Sequence, residues 1–244
     1  MDIINIVSFI LLINVLFFII DKMVCFPIIF KMNRKLLNNS KDYGRTRWYL
    51  LHIFINLLTT ITSISSVYLT YQRPYTSLTP IKMAEPYSAG WFIGPTSPLP
   101  TLIVVSGHFY HILFFSTTKS DIYHHLTFAG VMGTINMIGD YGTARNIIQF
   151  VLSGFPGIIE YTIMSLYKFE YVNKKQMRYS ITVMYCLLRF PLGILFSWYF
   201  IFQILFNPLL ENPIMMSIVS LLVILNSTQY CVENIRSSIR HYQT

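Results

Sequence analysis

Acidic residues are scarce in this chain: Asp and Glu together number 10 in 244, and charged residues of both signs make up only 11%. A water-soluble domain carries about 25%, so this chain cannot coat a water-facing surface with charge in the usual way. Cysteine is equally rare. Cys25, Cys186 and Cys231 are odd in number and isolated, which excludes a disulfide scaffold and reads as buried, inert thiols. Glycine and proline number 11 each, without period, so no collagen-like repeat is present. There is no internal repeat and no low-complexity tract. A cleaved leader is not expected either. Asp2 is the only early charge, and the apolar stretch behind it is too long for a signal-peptide core. Disordered chains and nucleic-acid-binding domains built on basic patches are excluded by the same composition, and nucleic acid is not an expected partner.

What the chain has is apolar sequence. Hydrophobic residues make up 54%, and the mean hydropathy is +0.52. A helix crossing the ~30 Å hydrocarbon layer needs ~20 mainly apolar residues. Seven stretches qualify: Ile3 to Phe30, Trp48 to Tyr71, Leu99 to Thr117, Ile122 to Ile138, Asn146 to Tyr167, Tyr179 to Phe206 and Ile214 to Tyr230. Asp21-Lys22 reads as a polar break in the first. The fourth and fifth are the most polar, and Gly154, Pro156 and Gly157 interrupt the fifth. The segment from Gln72 to Pro98 reads as a capping loop, partly re-entrant around Gly90-Trp91-Phe92. The expected fold is all-α, a polytopic membrane bundle of about seven transmembrane helices, forming one domain over residues 1–244.

The net charge of +8 is an orientation signal in such a protein. With loops on alternate sides, one side receives Lys31, Arg34, Lys35, Lys41, Arg45, Arg47, Lys119, Lys168, Lys174, Lys175, Arg178, Arg236 and Arg240. The other receives Arg73, Lys82 and Arg145. This asymmetry places the N-terminus outside or in a lumen and the C-terminus in the cytoplasm. The sequons at Asn38 and Asn226 then fall in a cytoplasmic loop and a span. The 31–47 cluster would also attract anionic headgroups or the phosphates of an acyl-coenzyme A.

Ionisable groups inside the bilayer cost ~2.5–3.5 kcal/mol or more, so they are functional candidates. Four of the six histidines lie between residues 108 and 125. His108 and His111 share a helix face. The short linker after the third span makes spans three and four antiparallel neighbours, so His111, His124 and His125 reach one depth. Asp121 precedes the His pair by three and four residues and is placed to orient one imidazole. His124 and His125 point about 100° apart, so only one of them faces a given cavity. Glu160 and Arg189 pair across a helix interface, while Asp140 and Arg145 form a solvated interfacial pair. The cluster suits general-base catalysis on a lipid; a purely structural hydrogen-bonding role is the alternative. Six histidines are too few for a di-iron oxygenase, and no metal is expected. A seven-span receptor would need a cysteine bridge at the outer ends. An elongase would need His where Asp121 stands.

The stretch Lys119 to Lys168 resembles the TLC family, the membrane domain shared by TRAM proteins and ceramide synthases. Asp121, His124, His125, Glu160 and Lys168 follow that family's order of an acidic residue, a His-His pair and a span ending in Glu and Lys. The resemblance implies a helical barrel of six core spans around a lipid cavity, here roughly 44–235, with residues 1–30 as an additional N-terminal span. It implies acyl transfer from acyl-coenzyme A to a lipid amine or hydroxyl. His124 or His125 would be base or transient acyl acceptor and Asp121 the orienter, with His108, His111, Glu160 and Arg189 binding substrate. No resident cofactor is implied. Membrane lipids, acyl-coenzyme A and a second copy of the chain are the implied partners, and the endoplasmic reticulum is the implied compartment. One departure stands out. Ceramide synthases carry two aspartates in the span that here reads Leu152-Ser153-Gly154-Phe155-Pro156-Gly157. Their absence favours the other role found in the family, binding or moving lipids without chemistry.

Overall fold

A computed structural model describes residues 3–74, 94–138, 142–208 and 212–242. The Gly90-Trp91-Phe92 segment and Asp140 lie outside the described residues. Within them the chain is helical and contains no strand. Seven helices follow one another: α1 (Ile3–Met32), α2 (Ser40–Gln72), α3 (Leu99–Phe114), α4 (119–138), α5 (Ala144–Lys168), α6 (Lys174–Phe206) and α7 (Pro213–Tyr242). Five of these, all except α3 and α4, are long and apolar enough to cross a membrane. The 33 residues of α2 reach about 50 Å. The 16 of α3 reach only about 24 Å, short of the ~30 Å hydrocarbon layer. The fourth stretch, α4, falls short as its polarity suggests, whereas the third, α3, is shorter than expected and the fifth, α5, is long and apolar enough. The glycines and proline of the fifth do not prevent a 25-residue helix.

Local sequence sets the helix starts. Asn39 accepts the Asp42 N–H ahead of α2. Thr118 and Asp121 form a reciprocal capping box at α4, and Asn173 and Gln176 another at α6. Each satisfies backbone donors that a first helical turn leaves open.

Proline sets the irregularities. In three helices a turn widens so that an N–H reaches five residues back: Phe26 to the Asp21 carbonyl, Phe155 to Phe150 and Phe190 to Tyr185. The next residue in each case is Pro27, Pro156 or Pro191. Proline has no N–H, and its ring crowds the carbonyl four residues back, so the backbone relaxes into a π-helical turn. A fourth wide segment, Leu126–Met132 in α4, contains no proline.

Asp21 sits in the first wide turn, and its role corrects the reading of Asp21-Lys22 as a simple polar break. The two residues point apart. Lys22 is exposed, with its ammonium 5.7 Å from the Phe18 ring centroid. Asp21 is fully buried and takes a bidentate bond from Arg47, through Nε at 2.8 Å and through Nη2. Tyr110 donates to the same carboxylate at 3.1 Å. The pair ties α1, α2 and α3 together.

Cross-links also sort the helix ends. Lys168 Nζ meets Asp42 Oδ1 at 2.5 Å, and Thr182 meets Ser238 at 2.6 Å. At the opposite end Thr70 meets Thr143 at 2.7 Å, and Gln203 donates to the Pro74 carbonyl at 2.9 Å. Successive helices thus run in alternating directions. The buried stripe of α2 is small and polar: Asn56, Thr59, Ser63, Ser66 and Thr70, spaced alternately three and four residues apart. Such residues let membrane helices approach closely. Around the interior the neighbours run α3, α2, α5, α6, α7 in contact order. A shared apolar cluster containing Met132 and Val219 joins α4 to α7. Helix α1 lies outside, against α3.

Candidate functional site

A polar cavity of about 120 Å³ occupies the middle of this ring, and every helix from α2 to α7 supplies part of its wall. Its charged members are Glu160 on α5 and Arg189 on α6. Arg189 Nη1 donates to Glu160 Oε2 at 2.9 Å, so the pairing expected across this interface is formed. Tyr185, one turn before Arg189, donates to both carboxylate oxygens at 2.9 and 3.0 Å and accepts from Arg189 at 2.8 Å. The guanidinium also lies over the rings of Tyr185 and Tyr230. Its Nη2 donates to the Leu152 carbonyl at 2.7 Å. Pro156, four residues on, has no N–H for that carbonyl, so the break in α5 provides the acceptor that fixes Arg189.

The histidines divide between two cavities. His124 lines the polar one, with Nδ1 3.3 Å from the Tyr230 hydroxyl and its ring against Phe128. His125 lines a second cavity of about 500 Å³, apolar and bounded by α1, α3 and α4. His108 borders both. Adjacent helical positions do face different spaces, as their 100° offset requires. His125 bonds on both nitrogens: Nδ1 to His108 Nδ1 at 2.5 Å and Nε2 to His111 Nδ1 at 2.9 Å. A neutral imidazole donates from one nitrogen and accepts at the other. The three rings therefore form a hydrogen-bonded chain of one polarity rather than nitrogens converging on a point. Among the described residues no group of three or more His, Cys, Asp or Glu is arranged to hold a metal ion.

Several sequence expectations need correction here. Asp121 orients neither imidazole. Its carboxylate accepts from the Thr118 N–H at 2.7 Å and the Thr118 hydroxyl at 2.8 Å, closing the α4 capping box. Burial pushes the Asp121 carboxyl up, but the two Thr118 bonds, together with neighbouring His111 and His125, hold it below the ordinary carboxylate value. His111 borders neither cavity; it stacks on Trp48, 3.9 Å between centroids, and reaches the site only through His125. Arg145 is fully buried rather than solvated. Cys186 and Cys231 are distant in sequence but not isolated, with Sγ atoms 3.7 Å apart between α6 and α7.

The structure also adds residues. His52 lies against Tyr161, 4.1 Å between nearly parallel rings, and beside Trp48. Asn56 accepts from Ser153 at 2.8 Å. His52, Asn56, Tyr161, Asn226 and Tyr230 all line the polar cavity. The intramembrane amides Asn56 and Asn226 had a legible signal, because an amide in an apolar span needs partners. Tyr161 and Tyr230 had none, since tyrosine is common throughout the chain. Four wall atoms are buried without a hydrogen-bond partner: His52 Nδ1, Asn56 Nδ2, Arg189 Nε and Asn226 Oδ1. These atoms leave hydrogen-bonding capacity open to whatever polar molecule, water included, enters the cavity.

Comparison with family models, with curated proteins and with solved structures gave no match.

Proposed function

We propose that this protein is a multi-pass membrane protein of the TLC type, acting on lipids inside its helix ring by acyl transfer from acyl-coenzyme A to a lipid hydroxyl or amine. The observation that carries this reading is the pair of cavities sharing His108, one apolar and one polar with His124 on its wall. That is the arrangement an amphipathic substrate requires: a place for its chain and a place for its reacting head. Six helices around the polar cavity with α1 outside support the resemblance to a six-span core with one additional span. All seven helices then lie in the membrane, α3 and α4 being shielded by their neighbours. The basic cluster at one end supports a cytoplasmic C-terminus and an outside or lumenal N-terminus, in a membrane such as the endoplasmic reticulum.

In the proposed step His124 takes the proton from the acceptor O–H or N–H. The freed electron pair adds to the thioester carbonyl, and the adduct expels the coenzyme A thiolate as the C–S bond breaks. The thiolate then takes the proton from His124. Tyr230 steadies the His124 ring, and His125, bonded on both nitrogens, positions His108.

The test is product formation by protein reconstituted in lipid nanodiscs with acyl-coenzyme A, read by mass spectrometry. His124→Ala should abolish the acylated product, whereas His124→Ala with unchanged product refutes the catalytic role.

One observation favours a second reading, lipid binding without chemistry. Asp121 is engaged by Thr118, so among the described residues no carboxylate is hydrogen-bonded to these imidazoles. On that reading lipid is bound and no product appears with any acyl donor.

A further inference from the structure

The polar cavity differs from an ordinary phospholipid site in two respects, size and charge. At about 120 Å³ it is smaller than the ~300–1,000 Å³ usual for the cavity of a drug-sized ligand. A cavity of that size suits a short head better than phosphocholine or a nucleotide. Among the described residues the only Asp, Glu, Lys or Arg on the wall are Glu160 and Arg189, and they neutralise each other at 2.9 Å. An added phosphate would lack a free cation, and an added ammonium would lack a free carboxylate. An ion placed there without a counter-charge would bear most of its desolvation cost.

The atoms left over are those of neutral hydrogen bonding. Asn56 Nδ2 and Arg189 Nε are donors, Asn226 Oδ1 is an acceptor, and His52 Nδ1 can be either. Arg189 and Asn56 are at least nine-tenths buried. A head carrying an acceptor such as a carbonyl or ether oxygen beside a hydroxyl would satisfy both kinds at once. Through the shared His108, such a head adjoins the apolar cavity of about 500 Å³. That volume lies in the ~300–1,000 Å³ range of ligand cavities, and its walls include Ile6, Ile10 and Leu126.

We infer that the ligand of this site is an uncharged lipid whose small head bears a hydroxyl next to a carbonyl or ether oxygen, with a hydrocarbon chain in the α1–α3–α4 cavity. This rests on the lipid reading above and narrows its acceptor to a neutral hydroxyl lipid, against a charged phospholipid or a cationic amine.

The test uses the full chain in nanodiscs. Three photoactivatable probes share one diazirine-bearing chain and differ in head: a monoacylglycerol, a lysophosphatidylcholine and a sphingoid amine. The monoacylglycerol should label α3 and α4 at least about tenfold more than either charged probe. Asn56→Leu and Asn226→Leu should each lower that labelling about tenfold, the effect of one unmatched buried polar group. An elution profile unchanged from wild type establishes that these variants fold. Ile10→Trp, which fills the apolar cavity from α1, should lower labelling by all three probes and serves as a control independent of the polar wall. Equal or stronger labelling by a charged probe overturns the neutral-head inference and leaves the lipid reading standing. No labelling of α3 or α4 by any probe overturns both.

Discussion

Two buried clusters in this protein are built from the same parts. Each has a carboxylate, an arginine and a tyrosine: Asp21, Arg47 and Tyr110 on one side, Glu160, Arg189 and Tyr185 on the other. In the first, both carboxylate oxygens are taken, and the arginine is bonded through Nε and Nη2. It lines neither of the two cavities described, and apolar residues of α1, α2 and α3 pack around it. In the second, Arg189 keeps a buried Nε without a partner, next to a cavity lined by His52, Asn56, His124 and Asn226. The composition of an intramembrane charge cluster does not reveal its role. What separates a clamp from a site is whether the hydrogen bonding closes on itself.

The sharpest way to break this comparison is to remove the charges. Arg47→Leu leaves Asp21 buried and unpaired and should cost about 3–5 kcal/mol, read as a large fall in thermal stability in detergent. Replacing both Asp21 and Arg47 with leucine should restore much of that stability and retain lipid labelling. For the second cluster, the double change Glu160→Gln with Arg189→Met should also fold, but it should abolish lipid labelling. If both double variants lose labelling equally, the distinction between clamp and site fails.

A smaller effect is expected at the contact between α2 and α5. A side chain at Gly157 would meet the Asn56 amide on the cavity wall. Gly157→Val should cost about 1–3 kcal/mol from overpacking and lower monoacylglycerol labelling, while Gly44→Val, where a Cβ meets nothing within 4 Å, should leave labelling intact.

The histidines give a finer division. His125→Ala removes the centre of the His108–His125–His111 chain and should reduce product formation partially. His124→Ala should remove it. The reverse order, measured as initial rate, would move the base from His124 to His125.

The smallest effect concerns the α4 cap. Thr118→Ala should cost about 0.5–2 kcal/mol without changing lipid selectivity. Because the Asp121 carboxyl is held below its ordinary 3.8 in the folded protein, its contribution is present above that value and is lost as pH falls through the lower folded one. Thermal scans at acid pH should show this loss in the wild type and not in Asp121→Asn.

Much of the architecture was legible because bilayer physics constrains it. Apolar runs of sufficient length located the five helices among the described residues that can cross a membrane. Of the three Phe-Pro steps at which helices widen, only the one at Pro156 was read as an interruption. The Glu160–Arg189 pairing was readable because two opposite charges inside a membrane have few other options. The role of Asp121 was misread, since the same spacing that suits a histidine partner also suits a capping box with Thr118. His52 was marked only as an ionisable group inside a span, while the cavity residues Tyr161 and Tyr230 come from helices far apart in sequence and no local pattern marks them.

By itself, then, the sequence determined that this chain folds as apolar helices with one basic end, because the cost of bare backbone and bare charge in hydrocarbon admits little else. Only the tertiary structure decided which polar groups consume one another and which remain open. That outcome depends on side chains from six helices meeting at one depth, and on a proline in α5 freeing a carbonyl for an arginine in α6. No spacing along a single helix encodes it.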